Sequence, residues 1–129
     1  MEVQKELKIL LAEDNKINQQ IATFTFKQLQ LKCDIASNGS EAFEMYQQKS
    51  HDLIFMDIQM PVMDGLEAAR LIRAFEKESD SLHRVYIVAL SANVISEKRE
   101  EYIDAGMDDF IEKPIQKSML QSFISQFRT

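Results

Sequence analysis

Hydrophobic and polar positions fall in blocks along this chain. Short apolar runs at residues 8–12, 31–36, 53–56 and 85–90, with a weaker one at 109–112, separate longer stretches where apolar residues recur every three or four positions. Short apolar runs bounded by turn residues predict strands buried on both faces. The longer spacing predicts helices. The first helix, about 15–30, is expected to carry Ile17, Ile21, Phe24 and Gln28 or Leu29 on its apolar stripe. The second starts at Asn38, a capping residue with Glu41 three positions on, turns Ala42, Phe43 and Tyr46 inward, and ends near Lys49. Asp64 and Glu67 form a similar pair ahead of Leu66, Ala69 and Ile72, and residues 77–82 read as a loop. A mostly charged segment, 96–105, has only Tyr102 and Ile103 as strongly apolar residues and stops at Gly106. Leu120, Phe123, Ile124 and Phe127 mark the last helix. Five strands alternating with five helices predict an α/β fold, a parallel sheet covered on both faces by right-handed crossovers.

Composition narrows the class. At 129 residues the length fits one domain, spanning 1–129 with a core of about 7–128, and no linker or output domain is visible. A hydrophobic fraction of 45% and a charged fraction of 28% are ordinary for a soluble protein. No stretch is long and apolar enough to span a bilayer, and the charged start is unlike a signal peptide, so a cytoplasmic location is expected. The net charge is −6 with Lys and Arg scattered, so nucleic-acid binding by this chain alone is not expected. Cys33 is the single cysteine, which excludes an internal disulfide and a thiolate cluster; it reads as a small packing residue. His51 is expected to face solvent and His83 to lie in a loop, and neither is framed as a phosphohistidine. The seven methionines read as packing residues.

The chemistry sits where the apolar runs end. The first strand leads into Glu13 and Asp14, the third into Asp57, the fourth into Ser91 and the fifth into Lys113. Polar residues commonly follow buried strands, so an isolated acidic pair means little. In a parallel sheet, however, all five groups share one edge, the edge where such sheets bind ligands. Three close carboxylates do not all ionise comfortably without a cation, and hard oxygen donors with room for water suit Mg²⁺ better than zinc. Lysine and a hydroxyl beside them could hold phosphoryl oxygens. The combination points to a metal-assisted phosphoryl acceptor, with the Asp57 carboxylate attacking phosphorus.

Residues Leu11-Ala12-Glu13-Asp14-Asn15, Met56-Asp57-Ile58-Gln59-Met60-Pro61-Val62-Met63-Asp64-Gly65, Ala89-Leu90-Ser91-Ala92 and Lys113-Pro114 resemble the receiver domain of two-component response regulators. Glu13-Asp14-Asn15-Lys16-Ile17-Asn18-Gln19 and Gly106-Met107-Asp108-Asp109-Phe110 are most similar to receivers attached to hybrid sensor histidine kinases, and a stand-alone regulator would look the same. The resemblance implies a flavodoxin-like (CheY-like) sheet of order 2-1-3-4-5. It implies phosphorylation of Asp57 by a histidine kinase or histidine phosphotransfer domain, so that the chain is a signalling acceptor rather than an enzyme. Asp14, Asp57 and the Gln59 carbonyl would hold Mg²⁺, with Glu13 acting directly or through water. Lys113 and Ser91 would assist the phosphoryl group, Ser91 and Phe110 would form the switch, and Gln59 and Asn93 would tune phosphoryl lifetime. The family often has tyrosine where Phe110 stands, so coupling there would rest on packing. The Lys113–Pro114 bond is expected to be cis. Self-association through the fourth helix, fifth strand and fifth helix is a further implication.

Two other functions compete. A phosphatase of the haloacid dehalogenase type also uses an aspartate nucleophile, but places a second aspartate two positions on, where this chain has Gln59. A receiver fold kept only as an interaction surface has no need of the intact acidic pair, Asp57, Ser91 and Lys113. No serine hydrolase triad is legible.

Overall fold

The apolar runs become the strands of one sheet. The structure, a computed structural model, describes residues 7–79, 83–92 and 99–127, in the last case without the Phe127 side chain. In chain order the elements are β1 (Ile9–Ala12), α1 (Lys16–Gln28), β2 (Cys33–Ala36), α2 (Gly39–Lys49), β3 (Leu53–Asp57), α3 (Gly65–Glu78), β4 (Tyr86–Ser91), α4 (Arg99–Asp104), β5 (Asp109–Glu112) and α5 (Lys117–Phe127). The strands pair in the order β2-β1-β3-β4-β5. All four pairings are parallel, with Leu11 beside Phe55, Phe55 beside Val88 and Ala89 beside Phe110. The Lys113–Pro114 peptide is cis.

Because successive strand residues face opposite ways, the sheet has a core on each side. On one side Leu10, Ile54 and Ile87 pack with Ala42 and Tyr46 of α2, Ala69 and Ile72 of α3, and Tyr102 of α4. On the other, Leu11, Phe55 and Val88 meet Ala22 and Phe26 of α1 and Leu120, Phe123 and Ile124 of α5. Burying each such large apolar side chain contributes about 1.5–3 kcal/mol. The side chains of Asn38 and Asp64 cap α2 and α3 by accepting from the Glu41 and Glu67 amides, as their spacing predicts. Gly106, at φ 106°, follows α4, and a Cβ there would lie 2.5 Å from Arg73 Cγ. No described helix is long and apolar enough to cross a membrane.

Three expectations need correction. The α1 stripe is inverted: Ile17 and Phe24 are 65% and 64% exposed and Ile21 is exposed too, while Ala22, Thr25 and Phe26 face the core. Residues 77 and 78, expected in a loop, continue α3, and residues 80–82 lie outside the described chain. Helix α3 runs on because its Glu76 is buried and bonded: Oε2 accepts from Tyr46 Oη and the Val85 amide, and Oε1 from Arg73. Arg73 also donates to the Gly106 carbonyl and to Asp108, whose second oxygen accepts from Arg84. The start of the predicted fourth helix, residues 96–98, also lies outside the described residues.

His51 is the third correction, because it is fully buried. It lies at 2.8 Å from Asp34 Oδ2 through Nε2, while Nδ1 is buried with no hydrogen-bond partner among the described residues. Nε2 therefore carries the hydrogen and donates it. Burial pushes the His51 pKa down, opposed by Asp34 and assisted by the charges of Lys49 and Lys8. The unfolded chain then takes up a proton before the folded one. Stability should be complete above pH 6.5, the ordinary value for the group, and fall as pH drops from there to the depressed folded value. Urea titrations between pH 8 and 5 check this against His51→Gln, which should flatten the fall. The Asp34 carboxyl is pushed up by burial but held down more strongly by Lys49 and His51, so it acts at lower pH.

Candidate functional site

The parallel register carries β1, β3, β4 and β5 to a common carboxyl rim. Glu13 and Asp14 follow β1, Asp57 closes β3, Ser91 closes β4, and Lys113 follows β5. Oxygens of Glu13, Asp14 and Asp57 lie within 4.8 Å of one another, with Glu13 and Asp57 buried and Asp14 exposed. The Lys113 ammonium reaches Asp57 Oδ2 at 2.9 Å and lies 3.7 Å from Glu13 Oε1. Four of the five groups expected at this rim, Glu13, Asp14, Asp57 and Lys113, thus come together.

Backbone contacts fix each group. The Glu13 amide donates to the Ala36 carbonyl at 3.0 Å, and Glu13 Oε2 accepts from the Asn15 amide at 3.1 Å. Asp57 Oδ1 accepts from the Gln59 amide at 3.3 Å. The Lys113 amide donates to the Ser91 carbonyl at 2.8 Å, which ties β5 to β4 beside the rim. Gly65 lets α3 start hard against β3: a Cβ there would lie 2.2 Å from the Asp57 carbonyl oxygen. Val62, 84% exposed in the loop between them, holds a left-handed φ of 70°, a costly conformation for a β-branched residue.

Electrostatics follow from this crowding. Burial, reinforced by the Asp57 carboxylate, pushes the Glu13 pKa up against the pull of the Asn15 amide and Lys113. Burial disfavours a charged Lys113, but its bond to Asp57 and the charges of Asp57, Glu13 and Asp14 outweigh that and raise its pKa. The ammonium therefore stays protonated. One lysine among three carboxylates leaves excess negative charge, and with all donors oxygen and one side open to water the set fits a hard divalent cation.

The remaining predicted residues lie around this centre. Ser91 is half-buried, opposite Glu112 in the β4–β5 register. Gln59 is exposed and, with Asp14, Met60 and Asp64, lines an open depression at the rim. Phe110, half-buried, lies 5.7 Å from the Tyr102 ring, and the Arg99 guanidinium carbon sits 5.3 Å above its centroid. Asn93 lies outside the described residues. Sequence reasoning missed Arg99, which only its place on α4 relates to Phe110, and Gln19, whose amide nitrogen donates to the Glu13 carbonyl at 2.5 Å. Ile21 of α1 lines a groove shared with Asn18, Lys113 and Pro114, so the exposed stripe of α1 borders the carboxylate centre.

The model of the response regulator receiver domain family matches residues 9–125. The hybrid signal transduction histidine kinase K of Dictyostelium discoideum is 40% identical over 121 residues, covering 92% of this chain and 10% of that protein. Among solved structures, the receiver domain of the Saccharomyces cerevisiae response regulator Ssk1, crystallised with the histidine phosphotransfer signalling protein Ypd1, aligns with a TM-score of 0.86 and 33% identity. That alignment covers 98% of this chain and 92% of the other. The receiver domain of a Pseudomonas aeruginosa sensor histidine kinase, with a magnesium ion coordinated in its active-site cleft, aligns with a TM-score of 0.81 and 33% identity, over 95% of this chain and 97% of that one.

Proposed function

Because this chain belongs to the response regulator receiver family, we infer that Asp57 is its phospho-acceptor and that a partner's phosphohistidine is the donor. One observation carries the reading: the Lys113 ammonium bonds Asp57 at the point where the Glu13 and Asp14 carboxylates meet it. Asp14, Asp57 and the Gln59 carbonyl would hold Mg²⁺, with Glu13 direct or through water. Bound there, the ion neutralises charge on the phosphoryl oxygens. An Asp57 oxygen forms the bond to phosphorus as the phosphorus–nitrogen bond of phosphohistidine breaks, and the departing imidazole nitrogen takes up a proton. Lys113 then turns from the bare carboxylate to the phosphoryl oxygens, and Ser91 donates to them. The domain acts as a signalling acceptor, in the cytoplasm or at the cytoplasmic side of a membrane-tethered parent.

The added charge and acceptor oxygens at Asp57 drive the switch. As Ser91 is drawn toward the phosphate, Phe110 moves into the space released and α4 shifts with it through Tyr102 and Arg99. Thin apolar anchoring suits α4 to this role, since Tyr102 is buried while Ile103 is 57% exposed. Gln59, two residues after the acceptor in sequence, and Asn93, two residues after Ser91, set how fast water removes the phosphoryl group. Self-association through α4, β5 and α5 is compatible with this face.

The chain spans about a tenth of the curated kinase it matches, so the partners of the whole protein are part of this reading. The exposed α1 stripe beside the acceptor supports docking of a histidine phosphotransfer domain there, and the Ssk1 receiver is bound to such a protein. Phe24→Asp should slow phosphoryl transfer from phosphorylated Ypd1 by about tenfold, about 1.4 kcal/mol, the cost of truncating a contributing interface residue short of a hot spot. It should leave labelling by acetyl phosphate unchanged; equal loss with both donors would remove α1 as the docking face. The acceptor reading itself is tested by intact mass after acetyl phosphate and Mg²⁺: one acid-labile phosphoryl group is expected. Sustained rapid hydrolysis of a phosphate ester would favour the haloacid dehalogenase-type reading instead, which Gln59 opposes by supplying no acid at that position.

A further inference from the structure

We propose that Gln19 is a positioning residue for the acidic pair: its side-chain amide sets the peptide between Glu13 and Asp14, and with it the aim of the Asp14 carboxylate. The inference rests on the receiver reading and concerns the same site. Gln19 lies on α1, half-buried, and its Nε2 donates to the Glu13 carbonyl oxygen at 2.5 Å. That oxygen belongs to the peptide whose nitrogen is Asp14's own, so the contact fixes the peptide plane from which the Asp14 side chain departs. Asp14 is the exposed member of the three carboxylates and has no strand to hold it, in contrast to Asp57.

The rest of the segment forms a closed set of bonds that leaves this peptide to Gln19. Glu13 Oε2 is engaged by the Asn15 amide, Asn15 Oδ1 by the Asn18 amide, and the Asn15 carbonyl by the Gln19 amide. Gln19 is therefore anchored in the first turns of α1 by its backbone and reaches back with its side chain to the turn it follows. A donor at this position orients a ligand without touching the ion. Partners of that kind typically cost 10–100-fold in metal affinity when removed. The helix carrying Gln19 also carries Ile17, Ile21 and Phe24, so movement of α1 on docking reaches the peptide ahead of Asp14 through this amide.

Gln19→Met keeps length and helix propensity but removes the donor; Gln19→Ala removes both donor and bulk and serves if the first variant folds poorly. Calorimetric titration with Mg²⁺ should give affinity about tenfold weaker than wild type for either folded variant. Labelling by acetyl phosphate should need about tenfold more Mg²⁺ for half-maximal rate, yet reach within about twofold of the wild-type rate at saturation, because Asp57 and Lys113 are untouched. A general packing defect would instead lower the saturated rate and the melting point in chelator. Mg²⁺ affinity within about twofold of wild type in a folded variant overturns the positioning role alone, on the scale expected for such a contact. A wild-type chain that binds Mg²⁺ but takes no phosphoryl group sinks the receiver reading and leaves the titration free to judge Gln19. No Mg²⁺ binding by the wild type overturns both.

Discussion

Asp57→Asn should leave the protein folded and take its acid-labile phosphoryl uptake from one group per chain to none. The substitution keeps the shape of the side chain while replacing the anionic nucleophile with an amide that does not attack phosphorus under these conditions. Folding should survive, because Asp57 is one of three crowded carboxylates and its main partner, the Lys113 ammonium, retains Glu13 at 3.7 Å. Treatment with acetyl phosphate and Mg²⁺ followed by intact mass measurement reads the result directly. An acid-labile group on the mutant would place the acceptor elsewhere. Loss of labelling together with a collapsed circular dichroism spectrum would be uninformative for wild-type Asp57, so Asp57→Glu, which keeps the charge but misplaces it, completes the comparison: folded and unlabelled or only slowly labelled is the expected outcome.

Arg73→Leu should destabilise the fold by about 3 kcal/mol, at the lower end of the cost of breaking a buried ion pair from one side. Arg73 donates at 2.9 Å to the Gly106 carbonyl, at 2.8 Å to Glu76 and at 2.7 Å to Asp108. Its side chain is 17% exposed, and those of Glu76 and Asp108 are 10% and 14%. Among the described residues, removing the cation leaves Glu76 with the Tyr46 hydroxyl and the Val85 amide, and Asp108 with the more exposed Arg84 and the Ile87 amide. The pair Arg73→Leu with Glu76→Leu should recover part of the loss, since no unpaired buried carboxylate then remains at position 76. Urea denaturation measures both, and a loss below about 1 kcal/mol for the single variant, the scale of a surface pair, would show the network to be superficial.

The sheet was legible because its strands are buried on both faces and so read as unbroken apolar runs. The carboxylate centre was legible for the same reason, since a polar residue ending such a run has to stand at the rim. Helix α1 misled because both of its faces carry apolar residues. Periodicity detects a stripe at Ile17, Ile21 and Phe24, but only the sheet decides that the smaller set around Ala22 and Phe26 meets the core. His51 and Glu76 were illegible for a different reason. Each is buried by partners distant in sequence, Asp34 for the first and Tyr46 and Val85 for the second, and one-dimensional patterns carry no trace of such pairing. Arg99 and Gln19 are ordinary helix residues until their neighbours across the fold are known.

Helices α1 and α5 cover one side of the sheet, and α2, α3 and α4 the other. Visitors approaching from these two sides meet different surfaces, and both reach the rim between them. On the proposed reading, a donor seated on α1 and a reader seated on α4 would address opposite sides of the sheet, so arrival of the message and its delivery need not compete for one helix surface.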